Sequence, residues 1–226
     1  MVADRLRAVR YRVVAAAERS GRDPDDITLV AVSKGRPIAD IIAAYEAGQR
    51  DFGENRAQGL EHRIGQVPDD VVWHFVGSVQ RRKVKLIAPT VSLLHSLDRP
   101  ALIAAWGNLD DPPPALLQVN VALEPQKHGF VPDAAESAAA SAVDAGIPLV
   151  GVMTIPPFAV LPNDSRRWFE ELRRIRDLLR EQFPQVRELS MGMTDDFEVA
   201  VECGATIVRV GRAIFEPMNG SPADPR

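Results

Sequence analysis

Ile27-Thr28-Leu29-Val30-Ala31-Val32-Ser33-Lys34-Gly35-Arg36-Pro37 is the stretch whose reading decides the fold. Six β-branched and apolar residues run without a charge and stop at a polar, Gly- and Pro-containing turn, the pattern of a fully buried parallel strand. A helix is expected directly after it, over 38–47, closed by Gly48. Upstream, Leu6, Val9, Val13 and Ala17 recur at helical spacing among Arg and Glu, which predicts an amphipathic helix over 2–19 that ends at Ser20-Gly21.

Downstream the unit repeats. Strands are expected at 51–54 (short and weak), 71–77, 92–97, 115–121, 149–154, 188–191 and 206–210. Helices are expected between them at 56–64, 79–87, 100–106, 134–145, 165–181 and 195–202. Strict strand–helix alternation demands a parallel sheet covered by helices. Eight units in about 200 residues is the lower size limit of a closed barrel. An open doubly wound sheet is the alternative if the strand at Asp51 is not real. The expectation is a single (β/α)8 TIM barrel over 1–217 with an extra N-terminal helix, and a disordered Pro/Gly/Asp-rich tail over 218–226.

Composition narrows the class. The 226 residues are 46% apolar and 26% charged, enough to bury a real core and incompatible with general disorder. A net charge of -4 with 6% aromatics does not suit a nucleic-acid binder. Cys203 is the single cysteine, so no intramolecular disulfide is expected. The first twenty residues carry charges throughout, unlike a signal peptide, and no stretch approaches the roughly 18 apolar residues that span a bilayer. A soluble cytoplasmic protein with no membrane partner is expected.

In either α/β architecture the chemistry sits at the C-terminal ends of strands. Lys34 ends the first strand, where a desolvated amine could attack a carbonyl; the commoner reading of such a lysine is a surface cation that snorkels out. Ser190-Met191-Gly192-Met193-Thr194 and Val208-Arg209-Val210-Gly211-Arg212 each put a glycine directly after a strand. Free N–H groups there suit a phosphate, and strands 7 and 8 are the usual phosphate corner of such barrels. Tight strand–helix turns explain the same glycines equally well, and Asp195 and Asp196 would repel an anion unless they point away. His74 and His95, on strands three and four, are expected to be neighbours but lack the acidic or thiol partners of a metal site. Cys203 reads as a packed thiol, and the arginine-rich helix over 165–181 as a solvated face.

Seven blocks occur in order: Val30-Ala31-Val32-Ser33-Lys34; Phe52-Gly53-Glu54-Asn55-Arg56-Ala57-Gln58; Trp73-His74-Phe75-Val76-Gly77-Ser78-Val79-Gln80; Gln118-Val119-Asn120 with Glu124, Lys127 and Gly129; Met153-Thr154-Ile155-Pro156-Pro157; Leu189 to Asp196; and Val208 to Phe215. Together they resemble the YggS/PROSC family of pyridoxal phosphate homeostasis proteins over residues 3–216. The resemblance implies a barrel of the alanine-racemase N-terminal type that carries pyridoxal 5'-phosphate (PLP) as an aldimine on Lys34. It implies Arg209 at the pyridine nitrogen, and the phosphate held by Ser190, Thr194 and the backbone around Met191, Gly192, Gly211 and Arg212. Asn55 and His74 would line the ring and mouth. Three positions depart from the family pattern: Gln80-Arg81-Arg82-Lys83 lacks the usual asparagine, Thr194 replaces a serine, and Glu216 replaces a glycine.

The implied function is to hold, buffer and deliver PLP, with apo-enzymes as recipients and without catalytic turnover. A PLP-dependent racemase-like enzyme is the alternative. It needs a second base, yet the only tyrosines, Tyr11 and Tyr45, are not at strand ends and no second domain is expected. A sugar-phosphate enzyme using Lys34 as a Schiff base would share the corner but not the seven blocks. Without a dimerising second domain, a monomer is expected.

Overall fold

The computed structural model describes residues 1–158 and 160–216. Both the expected tail at 218–226 and the expected domain end at 217 lie outside the described residues. The chain opens with α1 (Val2–Arg19), followed by β1 (Thr28–Val32), α2 (Ile38–Glu46), β2 (Asp51–Glu54), α3 (Ala57–Arg63), β3 (Val72–Phe75), α4 (Val84–Ile87) and β4 (Val91–Leu97). It continues through α5 (Pro100–Gly107), β5 (Ala115–Gln118), α6 (Ala135–Asp144), β6 (Leu149–Met153), α7 (Arg166–Gln182), β7 (Glu188–Ser190), α8 (Phe197–Glu202), β8 (Ile207–Val210) and α9 (Arg212–Phe215).

The eight strands close in sequence order into one parallel barrel. Closure rests on β1 and β8, which pair from Thr28↔Ile207 to Ala31↔Val210. The weak strand at Asp51 is real: it pairs with β1 through Ala31↔Phe52 and with β3 through Asp51↔Val72 to Glu54↔Phe75. The barrel therefore replaces the open-sheet alternative.

Strand alternation sorts the side chains into two layers. Leu29, Ala31, Phe52, Trp73, Phe75, Leu117, Leu189, Val208 and Val210 pack outward under the helices. Val30, Leu93, Leu116, Met153 and Ile207 form a separate buried cluster inside the barrel. Five residues cannot fill three four-residue layers; polar side chains described below complete the interior. Among the described residues the eighth outer position holds α9, a single turn, and α1 packs against α2, α8 and α9 to cover it. Its Leu6, Val9, Val13, Ala16 and Ala17 are buried, and Arg5 Nε donates to the Ile214 carbonyl at 2.8 Å.

Two elements differ most from expectation. The helix expected over 79–87 is a 3-10 turn at Arg81–Lys83 and then the single turn α4, because Gln80 to Lys83 offer no apolar side chain to bury between Val79 and Val84. The fifth strand stops at Gln118, because the chain turns back on itself: Phe130 N donates to the Gln118 carbonyl and Asn120 N to that of Phe130, both at 2.9 Å. No helix among the described residues is long and apolar enough to cross a membrane.

Because α1 closes the helical ring, Leu6→Ala is expected to cost about 2–5 kcal/mol in urea unfolding. Tyr11→Ala, on the exposed face of the same helix, should stay within about 0.5 kcal/mol.

Candidate functional site

A cavity of about 1080 Å³ opens at the C-terminal ends of the strands, lined by Lys34, Asn55, Thr194, Arg209, Gly211 and Arg212 among others. Six of the ten predicted site residues thus converge. His74, Ser190, Met191 and Gly192 do not reach its wall, and each has another task.

Lys34 is placed by the turn that ends β1. Ser33 N donates to the Gly53 carbonyl at 2.9 Å, Arg36 N returns to the Ser33 carbonyl at 3.0 Å, and Gly35 takes the positive φ of 69° that this turn needs. A buried ion pair holds the turn from outside. Arg63 Nε meets Glu54 Oε1 at 2.6 Å, Arg63 Nη2 donates to the Ser33 carbonyl at 2.8 Å, and Nη1 donates to the Arg36 carbonyl at 3.2 Å. The Lys34 side chain is exposed and makes no ion pair among the described residues. The desolvation considered for this amine is therefore not present. Asn55 is held alongside, its N–H donating to Glu54 Oε2 at 3.2 Å. Gly77 lets the next loop close over it, since a Cβ there would fall on the Asn55 backbone.

Arg209, on β8, points into the barrel and is 4% exposed. Its Nη1 donates to Ser190 Oγ at 2.6 Å and its Nη2 to the Thr154 carbonyl at 2.9 Å. Burial lowers its pKa to about 10, opposed by the charge of Asp196, so the guanidinium stays protonated at neutral pH. Ser190 is fully buried between Arg209 and His95, whose Nδ1 lies 2.8 Å from Ser190 Oγ. Its hydroxyl is thus engaged inside the barrel by these two partners. His74 and His95 are neighbours, as their strands predict, with His74 Nδ1 2.9 Å from His95 Nε2. His74 Nε2 lies 3.0 Å from Asp51 Oδ1. His74 therefore sits below the cavity, away from its mouth.

The corner after β7 is shaped by Gly192, at φ 89°, where a Cβ would come within 2.5 Å of Ala200 Cβ. The Gly192 carbonyl accepts from Arg209 N at 3.0 Å, and Met191 is packed in the outer core. The acidic pair beside this corner is compensated. Asp196 accepts from Met193 N and Ser165 Oγ, each at 2.8 Å, and Asp195 is ion-paired with Arg212. Arg212 is thereby partly committed to Asp195. Among the described residues, the N–H groups of Gly211 and Arg212 make no hydrogen bond, and Thr194 Oγ1 accepts only from Ala213 N at 3.4 Å. Cys203 is buried, and burial pushes its thiol pKa up.

Sequence reasoning did not single out Arg63 or Asp51, and it met Thr154 only as a strand end within the Met153 to Pro157 block. A signal existed for Arg63, which continues the Ala57, Leu60 spacing of the buried face of α3. For the contact Thr154 makes there was none, because its carbonyl does the work.

Burial above all, with His74 and the Arg209 guanidinium as its neighbours, pushes His95 well below the usual histidine range. Unfolding exposes it to take up a proton, so stability is lost as pH falls below about 6.5, by up to about 1.4 kcal/mol per pH unit. Urea midpoints should fall more steeply between about pH 7 and 5.5 in the parent than in His95→Gln. Parallel curves would contradict this. Arg63→Ala, which strands Glu54 in the core, should cost about 3–5 kcal/mol.

Residues 5–217 match the family described as alanine racemase, N-terminal domain. The pyridoxal phosphate homeostasis protein of Aquifex aeolicus is 39% identical over 221 residues, which cover 94% of this chain and 96% of that one. The counterpart in Escherichia coli K12 is 37% identical over 229 residues, 95% of each chain. PipY of Synechococcus elongatus, solved with PLP bound, superposes with a TM-score of 0.79 at 32% identity, over 95% of this chain and all of that one (100%).

Proposed function

The chain belongs to the pyridoxal phosphate homeostasis protein family, and on that premise we propose that it binds PLP in the cavity above Arg209, with Lys34 as covalent anchor, and carries the cofactor without turning over a substrate. One observation carries this reading: an exposed amine that makes no ion pair among the described residues and a buried, fixed guanidinium share one cavity.

The donor set fits the group. When bound, PLP supplies an aldehyde that condenses with a primary amine, a pyridine ring that draws electrons, and a phosphate dianion. Lys34 offers the amine. Thr194 Oγ1 and the N–H groups of Gly211 and Arg212 offer unused donor capacity for the phosphate, with the turn at Gly192 setting their approach. Arg209 would meet the pyridine nitrogen with a donor that stays charged, so it neither gives a proton up to the ring nor accepts one from it. The ring is then left a weak electron sink, which suits storage over carbanion chemistry. Asn55 lines the wall between Lys34 and the β3 loop.

A racemase needs acid–base groups on both faces of the ring. Tyr11 is exposed on α1, and Tyr45 on α2 donates to Asp70 Oδ1 at 2.6 Å. Among the described residues no tyrosine lines the cavity. The exposure of Lys34 suits exchange of the cofactor with another amine, so apo-enzymes are the proposed recipients. We place this work in the cytoplasm and assign it to a monomer whose binding domain spans residues 1–217.

The test is the visible spectrum of the purified protein with added PLP, before and after borohydride, followed by peptide mapping. An absorbance fixed by reduction onto the peptide bearing Lys34 is expected, with no loss or racemisation of added amino acids. Lys34→Ala should abolish the fixed label and leave the unfolding midpoint unchanged within about 0.5 kcal/mol. Thr194→Ala should weaken retention by about tenfold, the loss of one hydrogen bond to a charged group. A protein that stays colourless with PLP overturns the reading.

A further inference from the structure

The structure assigns Asp51, His74 and His95 a common role: they form a one-directional hydrogen-bond relay through the barrel interior that locks Ser190 as an acceptor and so positions Arg209. The four contacts are continuous: Asp51 to His74 at 3.0 Å, His74 to His95 at 2.9 Å, His95 to Ser190 at 2.8 Å, and Ser190 to Arg209 at 2.6 Å. His74, His95, Ser190 and Arg209 are all buried, while Asp51, at the start of β2, keeps its carboxylate partly in solvent. The relay therefore runs from the floor of the barrel to the base of the cavity.

The two ends set its direction. A guanidinium can only donate and an ionised carboxylate can only accept, whereas a neutral imidazole does one at each nitrogen. Starting from Arg209, Nη1–H donates to Ser190 Oγ, and the Ser190 hydroxyl donates to His95 Nδ1. His95 Nε2–H then donates to His74 Nδ1, and His74 Nε2–H to Asp51. Each contact holds one hydrogen and no buried nitrogen is orphaned. With both rings neutral and Asp51 ionised, any other assignment sets two lone pairs or two hydrogens face to face in at least one contact. That is costly for buried groups. The groups facing His95 are His74, Ser190 and Arg209; those facing His74 are Asp51 and His95.

The consequence reaches the cavity. With its hydrogen aimed at His95, Ser190 turns a lone pair to Arg209, and the Thr154 carbonyl holds the other terminal nitrogen. The rest of the guanidinium is free to serve the cavity. If the relay loses its acceptor end, His74 is no longer held as an Nε2–H tautomer. Ser190 can then turn its hydrogen toward Arg209, which has no lone pair to receive it. Asp51, three residues removed from Arg209 along the relay, is thus a positioning residue. The relay itself stands on geometry; its service to a bound cofactor rests on the function proposed above.

The experiment has two readouts. The first is the nitrogen-15 spectrum of the histidine side chains in cofactor-free protein at neutral pH. Both His74 and His95 should be neutral, protonated at Nε2 and bare at Nδ1. A proton on Nδ1 of either ring overturns the relay whether or not PLP binds. The second is PLP affinity and the position of its visible band. Asp51→Ala should mix the His74 tautomers, move the band and raise Kd about three- to tenfold, with Asp51→Asn restoring part of each because its amide oxygen still accepts. Affinity and band unchanged in Asp51→Ala overturn the positioning role. If the parent protein takes up no PLP, the functional reading fails, and the tautomers alone decide the relay.

Discussion

A full positive charge inside a barrel constrains everything that touches it. Moving a guanidinium out of water costs several kcal/mol even after relaxation, and the cost is offset only where its N–H groups find acceptors. Arg209 finds a hydroxyl on β7 and a carbonyl just past β6, and the field of Asp196 opposes the effect of its burial. Those acceptors must themselves be satisfied. Ser190 leans on His95, and Thr154 Oγ1 donates to the Val119 carbonyl at 2.8 Å. One charge thus recruits polar residues from β2, β3, β4 and β7, and the interior divides into an apolar plug and a polar thread. Val30, Leu93, Leu116, Met153 and Ile207 make the plug.

Lys34 is held by the opposite means. Its turn is braced from the outer layer, where Glu54 and Arg63 pair in the core between β2 and α3 and Arg63 caps the carbonyls of Ser33 and Arg36. The backbone is fixed while the side chain is left in solvent. In the proposed function, the fixed guanidinium would give bound PLP a constant electrostatic setting, and the exposed amine on a rigid turn would give it an anchor that another amine can reach. The first property favours retention and the second favours exchange, and a carrier requires both.

The barrel was legible because its signals are local. Apolar runs punctuated by Gly and Pro recur eight times, and the weakest, Asp51–Glu54, was read by its place in the repeat more than by its composition. Lys34, Asn55, Thr194, Arg209, Gly211 and Arg212 were legible as strand-end residues and as members of the family blocks. What was not legible depends on register. Alternation within Trp73-His74-Phe75 turns His74 inward, but only the stagger of β2, β3 and β4 decides that it meets Asp51 and His95 below the cavity. Ser190 depends on register in the same way. It ends a strand beside the glycine corner, yet its inward hydroxyl belongs to the barrel interior. The helix expected at 79–87 breaks up because the cations Arg81, Arg82 and Lys83 continue a helical run in sequence while offering the barrel no apolar face.

The departures from the family pattern fall where this division of labour tolerates them. Thr194 keeps a hydroxyl at the cavity, so the donor capacity of the corner survives its extra methyl. Glu216 forms an ion pair with Arg36 and so ties the end of α9 to the Lys34 turn, a second brace on the same backbone from the β8 side. Arg81 and Arg82 are exposed beyond β3, outside both the polar thread and the Glu54–Arg63 pair. Substitution is absorbed at the rim because the rim only has to present donors. The interior lacks that freedom: in the proposed relay His74, His95 and Ser190 each receive one hydrogen and pass one on, so none of the three can change its hydrogen-bonding character alone.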